Sequence, residues 1–209
     1  MTSNAVRVWD LPVRVFHWSL VAFFTVAYFT GDEESQLHAY AGYVVGGLVV
    51  FRILWGFIGT RHARFSDFVY RRDTVVAYLK GLTSGSAKRY IGHTPAGGWM
   101  ILALLCCLLI TTVSGLQVYG LEGKGPLAGG ATASMNVITP ALADDDGDDN
   151  GHEKDNPSEE LWEEAHEFFA NLTVLLIALH IAGVGLTSLL HRENLVKAMI
   201  TGRKENDGQ

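Results

Sequence analysis

The chain has 209 residues, of which 48% are hydrophobic and 18% are charged, and its formal net charge is −6. The charged residues gather in short blocks between long apolar runs, which argues against a soluble globular domain and indicates a polytopic membrane protein. No cleavable signal peptide is evident at the N-terminus, so we expect the first apolar run to remain as a helix. The expected surroundings are a lipid bilayer, with no nucleic acid among the partners.

Four apolar runs are long enough to cross a bilayer. A hydrocarbon core about 30 Å thick needs about 20 helical residues, and a helix satisfies its own backbone hydrogen bonds inside lipid. The predicted spans are residues 13–30, 39–58, 96–118 and 168–190. No internal repeat is apparent. The sequence therefore predicts an all-α, integral membrane four-helix bundle that forms a single domain over residues 1–209.

The basic residues predict the orientation. The loop of residues 59–94 carries seven Lys and Arg, whereas the loop of residues 119–160 carries two Lys against ten acids. By the positive-inside rule the first loop is cytoplasmic and the acidic loop is outside, which puts both termini in the cytoplasm. Within the basic loop, "DTVVAYLKGL" has apolar residues at helical spacing and predicts a short interfacial helix.

Two of the eight histidines, His166 and His180, lie on or beside the predicted fourth span. Fourteen residues separate them, which is about 21 Å of helix and a rotation that returns to within about 40° of the same face. One metal ion cannot use both rings. Two cofactors stacked across the membrane can use one ring each.

Each of these rings has a candidate partner at its own depth. The chain direction pairs His38 with His166 on the outer side and His17 with His180 on the inner side. Two opposed imidazoles are an axial ligand set for haem iron, and a porphyrin fits between bundle helices. Zinc is a weaker candidate because each pair lacks a buried Cys or carboxylate ligand, and a proton relay stays open as an alternative.

Four further residues are candidate cofactor contacts. Gly42 and Gly46 follow His38 at one and two turns, where small residues admit a flat macrocycle or, alternatively, a neighbouring helix. Arg52 shares the face of His38 at the inner depth, where a buried cation needs an anion such as a haem propionate. His93 is a candidate proton donor for a quinone, because a ring that titrates near neutrality suits that role, and otherwise a turn residue.

The remaining histidines and the two cysteines carry weaker signals. We expect His62 and His191 at the interface, near lipid headgroups or haem propionates, and His152 in solvent within the acidic loop. Cys106 and Cys107 are adjacent in the predicted third span, where they act as apolar filling without a disulfide. The chain has no C-x-x-C-H motif, so any haem is of the b type.

Most of the chain resembles the bacterial di-haem cytochrome b561 family, whose relatives include the b-type cytochrome subunits of nickel-iron hydrogenases and formate dehydrogenases. The segments that carry the resemblance are "VWDLPVRVFHWSL", "LHAYAGYVVGGLVVFRILWGFIG", "ARFSDFV", "GHTPAGGWMIL" and "HEFFANLTVLLIALHIAGVGLTSLLHRENLVKAMITGRK". The resemblance implies a bacterial inner-membrane protein with four core helices. It implies two b haems on His17, His38, His166 and His180, and electron exchange between quinone and a redox partner.

Two classes of function follow. The first is an electron conduit between the quinone pool and a periplasmic redox protein, such as a basic cytochrome c that the acidic loop would attract. The second is a self-contained quinone-linked oxidoreductase acting on superoxide or another small redox substrate. The negative charge of the acidic loop would repel an anion such as superoxide, which counts against this class. A third possible function is a structural anchor in which haem serves only folding. For the acidic loop, the alternative to attracting a partner is that its charges only keep the loop soluble. A homo-oligomer is a further candidate assembly.

Overall fold

The computed structural model describes residues 5–31, 35–128 and 157–205. Most of the predicted acidic loop, including His152, therefore lies outside the described residues. In chain order the elements are β1 (Ala5–Arg7), α1 (Leu11–Phe29), α2 (Gln36–Ile58), a 3-10 turn (Arg61–Ala63), α3 (Phe65–Phe68), α4 (Arg72–Thr83), α5 (Pro95–Leu121), α6 (Pro157–His191), α7 (Leu195–Thr201) and β2 (Arg203–Glu205).

Four of the described helices, α1, α2, α5 and α6, are long and apolar enough to cross a membrane, which confirms the predicted four-helix membrane protein. The largest difference lies at α6, which begins at Pro157 and not at residue 168. The first turns of α6 carry glutamates, so a prediction based on apolar residues does not include these turns although they are helical. The predicted interfacial helix lies within α4.

One carboxylate begins α1 and ties it to the end of α2. Asp10 Oδ1 accepts a hydrogen bond from the backbone N–H of Val13 at 2.8 Å, which caps the helix. Asp10 Oδ2 accepts from Trp55 Nε1 at 2.9 Å and from Thr60 Oγ1 at 2.7 Å. The N-terminal end of α1 and the C-terminal end of α2 are thereby held together at one side of the bundle.

The helices pack in sequence order, α1 along α2, α2 along α5 and α5 along α6. The midplane contact is a cluster of buried apolar side chains, Phe16, Val45, Val49, Leu105 and Leu108. In the described ranges α6 has no comparable packing against α1 or α2. A hydrogen bond from Tyr28 Oη to Asn171 Oδ1, 3.2 Å long, spans this separation.

Both ends of the described chain meet on one side of the bundle. β1 pairs with β2 in antiparallel register, with Val6 opposite Lys204. Lys204 Nζ lies 3.4 Å from Glu193 Oε2, and Glu193 also pairs with Arg89 of the basic loop. The all-α prediction did not include this small sheet. It places residues 5–7, 203–205 and the basic loop on the same side, as four crossings require.

Replacing Asp10 with alanine is expected to destabilise the protein. Loss of a helix cap costs about 1 kcal/mol, and loss of hydrogen bonds to a charged group costs about 1.5–3 kcal/mol, so we expect a total of about 2–4 kcal/mol. The control is Asp73→Ala, which removes an exposed acid in the first turn of α4 and should cost under about 1 kcal/mol. Thermal unfolding in detergent measures both. Equal losses would contradict the role of Asp10 as a clamp.

The same variant tests a pH dependence. Burial raises the pKa of Asp10, but hydrogen bonds from Thr60, Val13 and Trp55 outweigh burial and lower the pKa below its usual value. A carboxyl group with a lowered folded pKa contributes stability above its unfolded pKa, and this is lost as the pH falls through the folded value. The stability difference between the wild type and Asp10→Ala should therefore persist from neutral pH to about pH 4 and shrink below it.

Candidate functional site

The fold brings His38 of α2 and His166 of α6 together in the half of the bundle that is predicted to face outward, here called the outer half. Their ring centroids are 5.9 Å apart and their planes differ by 80°. His38 Nδ1 lies 2.9 Å from the carbonyl oxygen of Ala27, and His166 Nδ1 lies 2.9 Å from that of Thr111. When each Nδ1–H donates to its carbonyl, the Nε2 lone pair of each ring is left as a metal ligand.

The His166 ring fits against α5 because residue 115 is a glycine. A Cβ atom on Gly115 would lie 2.8 Å from His166 Cε1 and 2.9 Å from Nδ1, closer than side chains tolerate. Ser114 is fully buried, and its hydroxyl donates to the carbonyl of Thr111 at 3.0 Å and lies 3.3 Å from His166 Nδ1. The sequence analysis did not predict these contacts of His166 with Ser114 and Gly115. The sequence feature that indicates them is an adjacent Ser and Gly inside an apolar span.

His17 of α1 and His180 of α6 form the inner pair and lie close enough for their charges to interact. The His17 ring makes an edge contact with Trp18 at a centroid distance of 5.1 Å. Its Nδ1 atom is buried without a hydrogen-bond partner. The fold thus brings the rings of His38 and His166 into contact and places His17 near His180, while the role of all four as ligands stays a prediction.

The histidine pairs fit a haem better than a metal ion held by protein alone. Among the described residues no group of three or more His, Cys, Asp or Glu could hold a metal, which counts against zinc. When two imidazoles bind one metal from opposite sides, each with its nitrogen about 2 Å from the metal, their ring centroids lie roughly 6 Å apart. The ring centroids of the outer pair are 5.9 Å apart. Gly42 and Gly183, each one turn after a histidine, face open space where a macrocycle could lie.

The inner half holds the polar groups that an anionic cofactor would satisfy. Arg52 is 3% exposed, and its guanidinium lies over the rings of Phe65 and Phe68 at 5.4 and 5.8 Å. The buried polar atoms without a hydrogen-bond partner in this half include Arg14 Nε, His17 Nδ1, Arg52 Nη1, His93 Nδ1 and His191 Nε2. A haem propionate would supply the acceptor that the buried guanidinium lacks.

Gly46 and His93 are in close contact with neighbouring parts of the chain. A Cβ atom on Gly46 would lie 2.6 Å from Thr112 Cγ2, so this glycine admits α5, which is the helix-packing alternative. His93 is packed between Trp9 and Phe68 at centroid distances of 4.4 and 4.5 Å. Burial, followed by the nearby Arg52, lowers the pKa of His93 to about 3. A ring with so low a pKa is neutral at pH 7, and the role of His93 as a proton donor to a quinone stays a prediction.

The remaining candidates have plain local roles. His62 Nδ1 lies 2.8 Å from Asp67 Oδ2, so a carboxylate within the protein is its partner. His191 ends α6 with a buried Nε2 atom. Cys106 is exposed and Cys107 is buried, and both are free thiols, as predicted.

Comparison with known proteins identifies the family. The family described as prokaryotic cytochrome b561 matches residues 8–202. A probable Ni/Fe-hydrogenase B-type cytochrome subunit of Azotobacter vinelandii is 30% identical over 156 residues, covering 59% of this chain and 62% of that protein. The equivalent subunit of Cupriavidus necator is 22% identical over 228 residues, covering 95% and 86%. The chain thus spans about 62% of the length of the Azotobacter relative. No solved structure matches the chain significantly.

The family match covers nearly the whole chain, including all four membrane helices and all four paired histidines. It agrees with the four helices long and apolar enough to cross a membrane. The chain belongs to the prokaryotic cytochrome b561 family, a family of haem b proteins of the bacterial inner membrane.

Proposed function

We propose that the chain carries electrons across the bacterial inner membrane through two b haems, between the quinone pool and a periplasmic redox partner. The observation that supports this most is the presence of one histidine pair in each half of the bundle. α6 supplies one ligand to each pair, and the two ligands lie about 21 Å apart along the helix. When bound, haem b supplies a one-electron redox couple at each site.

The protein residues in this proposal hold and orient the ligands. His38 and His166 would hold the outer haem, and His17 and His180 would hold the inner haem. The carbonyl oxygens of Ala27 and Thr111, 2.9 Å from the outer Nδ1 atoms, fix the tautomer in which Nε2 binds metal.

The layer between the two pairs is mainly apolar. It consists of apolar side chains from α1, α2 and α5, and of Thr173, which is fully buried and donates its hydroxyl to the carbonyl of Phe169 at 2.7 Å. Protons and ions cross a bilayer along polar or wet paths. The buried side chains of this layer are mainly apolar, which suits transfer of electrons without an accompanying proton.

The partners are proposed from charge and from the relatives. With the basic loop and both termini in the cytoplasm, the acidic loop is periplasmic and would attract a basic carrier such as a cytochrome c. The relatives named as Ni/Fe-hydrogenase B-type cytochrome subunits favour a hydrogenase in the same position. Their description as subunits supports a conduit over the alternative of a self-contained oxidoreductase that acts on superoxide. The role of His93 as a proton donor to the quinone stays a prediction.

The first test is the haem content. We expect two b haems per chain in a pyridine haemochrome assay. Replacing His38 or His166 with alanine should remove one haem, and replacing His17 or His180 should remove the other, because each site loses an axial ligand. The control His152→Ala should retain both. A content of one haem or none in the wild type, or loss of the same haem from the His17 and His38 variants, would overturn the pairing.

The second test concerns Arg52. Replacing it with leucine should lower the midpoint potential of the inner haem, because loss of a nearby cation favours the more positive oxidised iron. A unit charge acting over about 10 Å at an effective dielectric constant of about 20 contributes roughly 1.7 kcal/mol, or roughly 70 mV for one electron. The control is Arg61→Leu, whose side chain is 84% exposed. If both haems of Arg52→Leu titrate as in the wild type, Arg52 does not lie beside the inner haem.

The third test concerns the acidic loop. Electron exchange with a basic periplasmic partner should slow steeply as salt is added, since charges are screened beyond about 10 Å at 0.1 M. Neutralising the five aspartates from Asp144 to Asp149 should remove most of this salt dependence and leave the haem content unchanged. Stopped-flow rates against ionic strength measure it. The same rate and the same salt slope in the neutralised protein would leave the loop with a role in solubility only.

A further inference from the structure

A groove lies where the lipid-facing side of α1 meets the end of α7. This α1–α7 groove has a volume of about 410 Å³ and is lined by Leu11, Arg14, Val15, Trp18, Ser19 and Ile200. Leu11, Val15 and Trp18 recur at helical spacing, so they form one apolar face of α1. They are 61%, 55% and 42% exposed, although α1 is long and apolar enough to cross a membrane. This face of α1 is therefore free to contact a molecule from the bilayer.

The groove begins at the end of the bundle where both ends of the described chain meet. The backbone N–H groups of Val8 and Trp9 donate to the carbonyl of Gly202 at 2.9 and 3.2 Å, which holds the end of α7 beside the start of α1. From Leu11 to Ser19 the helix rises about 12 Å. The groove therefore runs from the level of the lipid headgroups into the apolar layer, on the side predicted to be cytoplasmic.

Arg14 places a positive charge without an anion at this groove. Its Nη2 atom donates to the carbonyl of Ile200, and its Nε atom is buried without a hydrogen-bond partner. In the described parts of the chain no carboxylate lies within ion-pair distance of Arg14. Asp10, one turn earlier, uses its carboxylate to cap α1 and to hold the end of α2. The guanidinium is thus fixed in place while its charge stays unpaired.

We propose that the α1–α7 groove binds an anionic phospholipid of the inner leaflet. The phosphate lies on the guanidinium of Arg14, and the first part of an acyl chain lies along Leu11, Val15 and Trp18. Guanidinium groups bind phosphate through paired, charge-assisted hydrogen bonds. Basic pockets beside membrane helices on the cytoplasmic side suit anionic headgroups. A volume of about 410 Å³ is in the range of sites for single small molecules.

The bound lipid joins two distant parts of the chain. Arg14 belongs to the first membrane helix, and Ile200 belongs to α7 near the C-terminal end. Lys197, one turn before Ile200 on α7, is exposed and supplies a second positive charge on the same side of the bundle. A ligand that binds the folded protein but not the unfolded chain stabilises the fold by mass action. The lipid site goes beyond the proposed electron transfer and does not depend on it.

The first experiment is native mass spectrometry of the full chain, purified in detergent and mixed with equal amounts of phosphatidylglycerol and phosphatidylcholine. We expect the wild type to retain one phosphatidylglycerol in preference to phosphatidylcholine. Arg14→Gln should bind it at least about tenfold more weakly, because hydrogen bonds between charged groups are lost. The control is Arg72→Gln, which neutralises an exposed arginine at the start of α4, outside the groove.

A second variant fills the groove and keeps the charge. Val15→Trp places a large side chain in the space of the acyl chain, so it should also reduce retention of phosphatidylglycerol by at least about tenfold, a loss comparable to that of a well-packed contact. Val21→Trp is the matched control, because Val21 lies on the same helix, is 46% exposed and does not line the groove. Equal retention by these two variants would contradict the location of the site.

Thermal unfolding distinguishes a lipid from a free anion. Phosphatidylglycerol at about 100 times its Kd should raise the unfolding temperature of the wild type by about 5 °C or more, and that of Arg14→Gln by much less. The same rise with inorganic phosphate would assign the site to a free anion, and an equal rise with phosphatidylcholine would show that charge is not recognised. Either result overturns the proposal. So would Arg14→Gln that loses haem and still retains phosphatidylglycerol, since the guanidinium would then serve the haem.

Discussion

A polar side chain inside a bilayer must find a partner for each of its polar atoms, and this constraint organises the bundle. The outer histidines meet it with carbonyls of neighbouring helices, at Ala27 of α1 and Thr111 of α5. Those carbonyls already belong to helical backbone, and each has a second lone pair to offer. The helices α1 and α5, which carry neither histidine of the outer pair, thereby fix the orientation of the two histidine rings.

The inner half meets the same constraint differently. Arg52 is packed between aromatic rings and keeps an unpaired nitrogen, and His17 has a buried Nδ1 atom without a partner. Groups of this kind are costly in a finished structure unless something else binds there. The inner layer of short helices and paired strands covers this region, and the carboxylate of Asp10 anchors it to α1 and α2. In the outer pair the Nδ1 atoms are thus satisfied by the protein itself, whereas the inner half keeps buried polar atoms that a bound anionic group would satisfy.

The sequence predicted the features that follow from regular helix geometry. The four membrane spans were predicted from the length of the apolar runs. The histidine pairs were predicted from the fourteen-residue interval between His166 and His180 and from the alternating direction of the helices. It could not predict the contacts that depend on how helices pack. Gly46 has the same spacing signal as Gly42, yet it faces Thr112 and Gly42 faces open space. The burial of His93 between Trp9 and Phe68 likewise depends on segments far apart in the chain.

The pairing of β1 with β2 has a consequence for biosynthesis. Arg7 and its partner Arg203 are separated by 196 positions in the chain, so at about 5–20 residues per second the first strand waits roughly 10–40 s for the second. Each histidine pair also includes a residue of α6, the fourth of the long apolar helices. The ribosome must therefore synthesise residues 157–191 before either pair can form, so the proposed haems would bind only after that stage of synthesis.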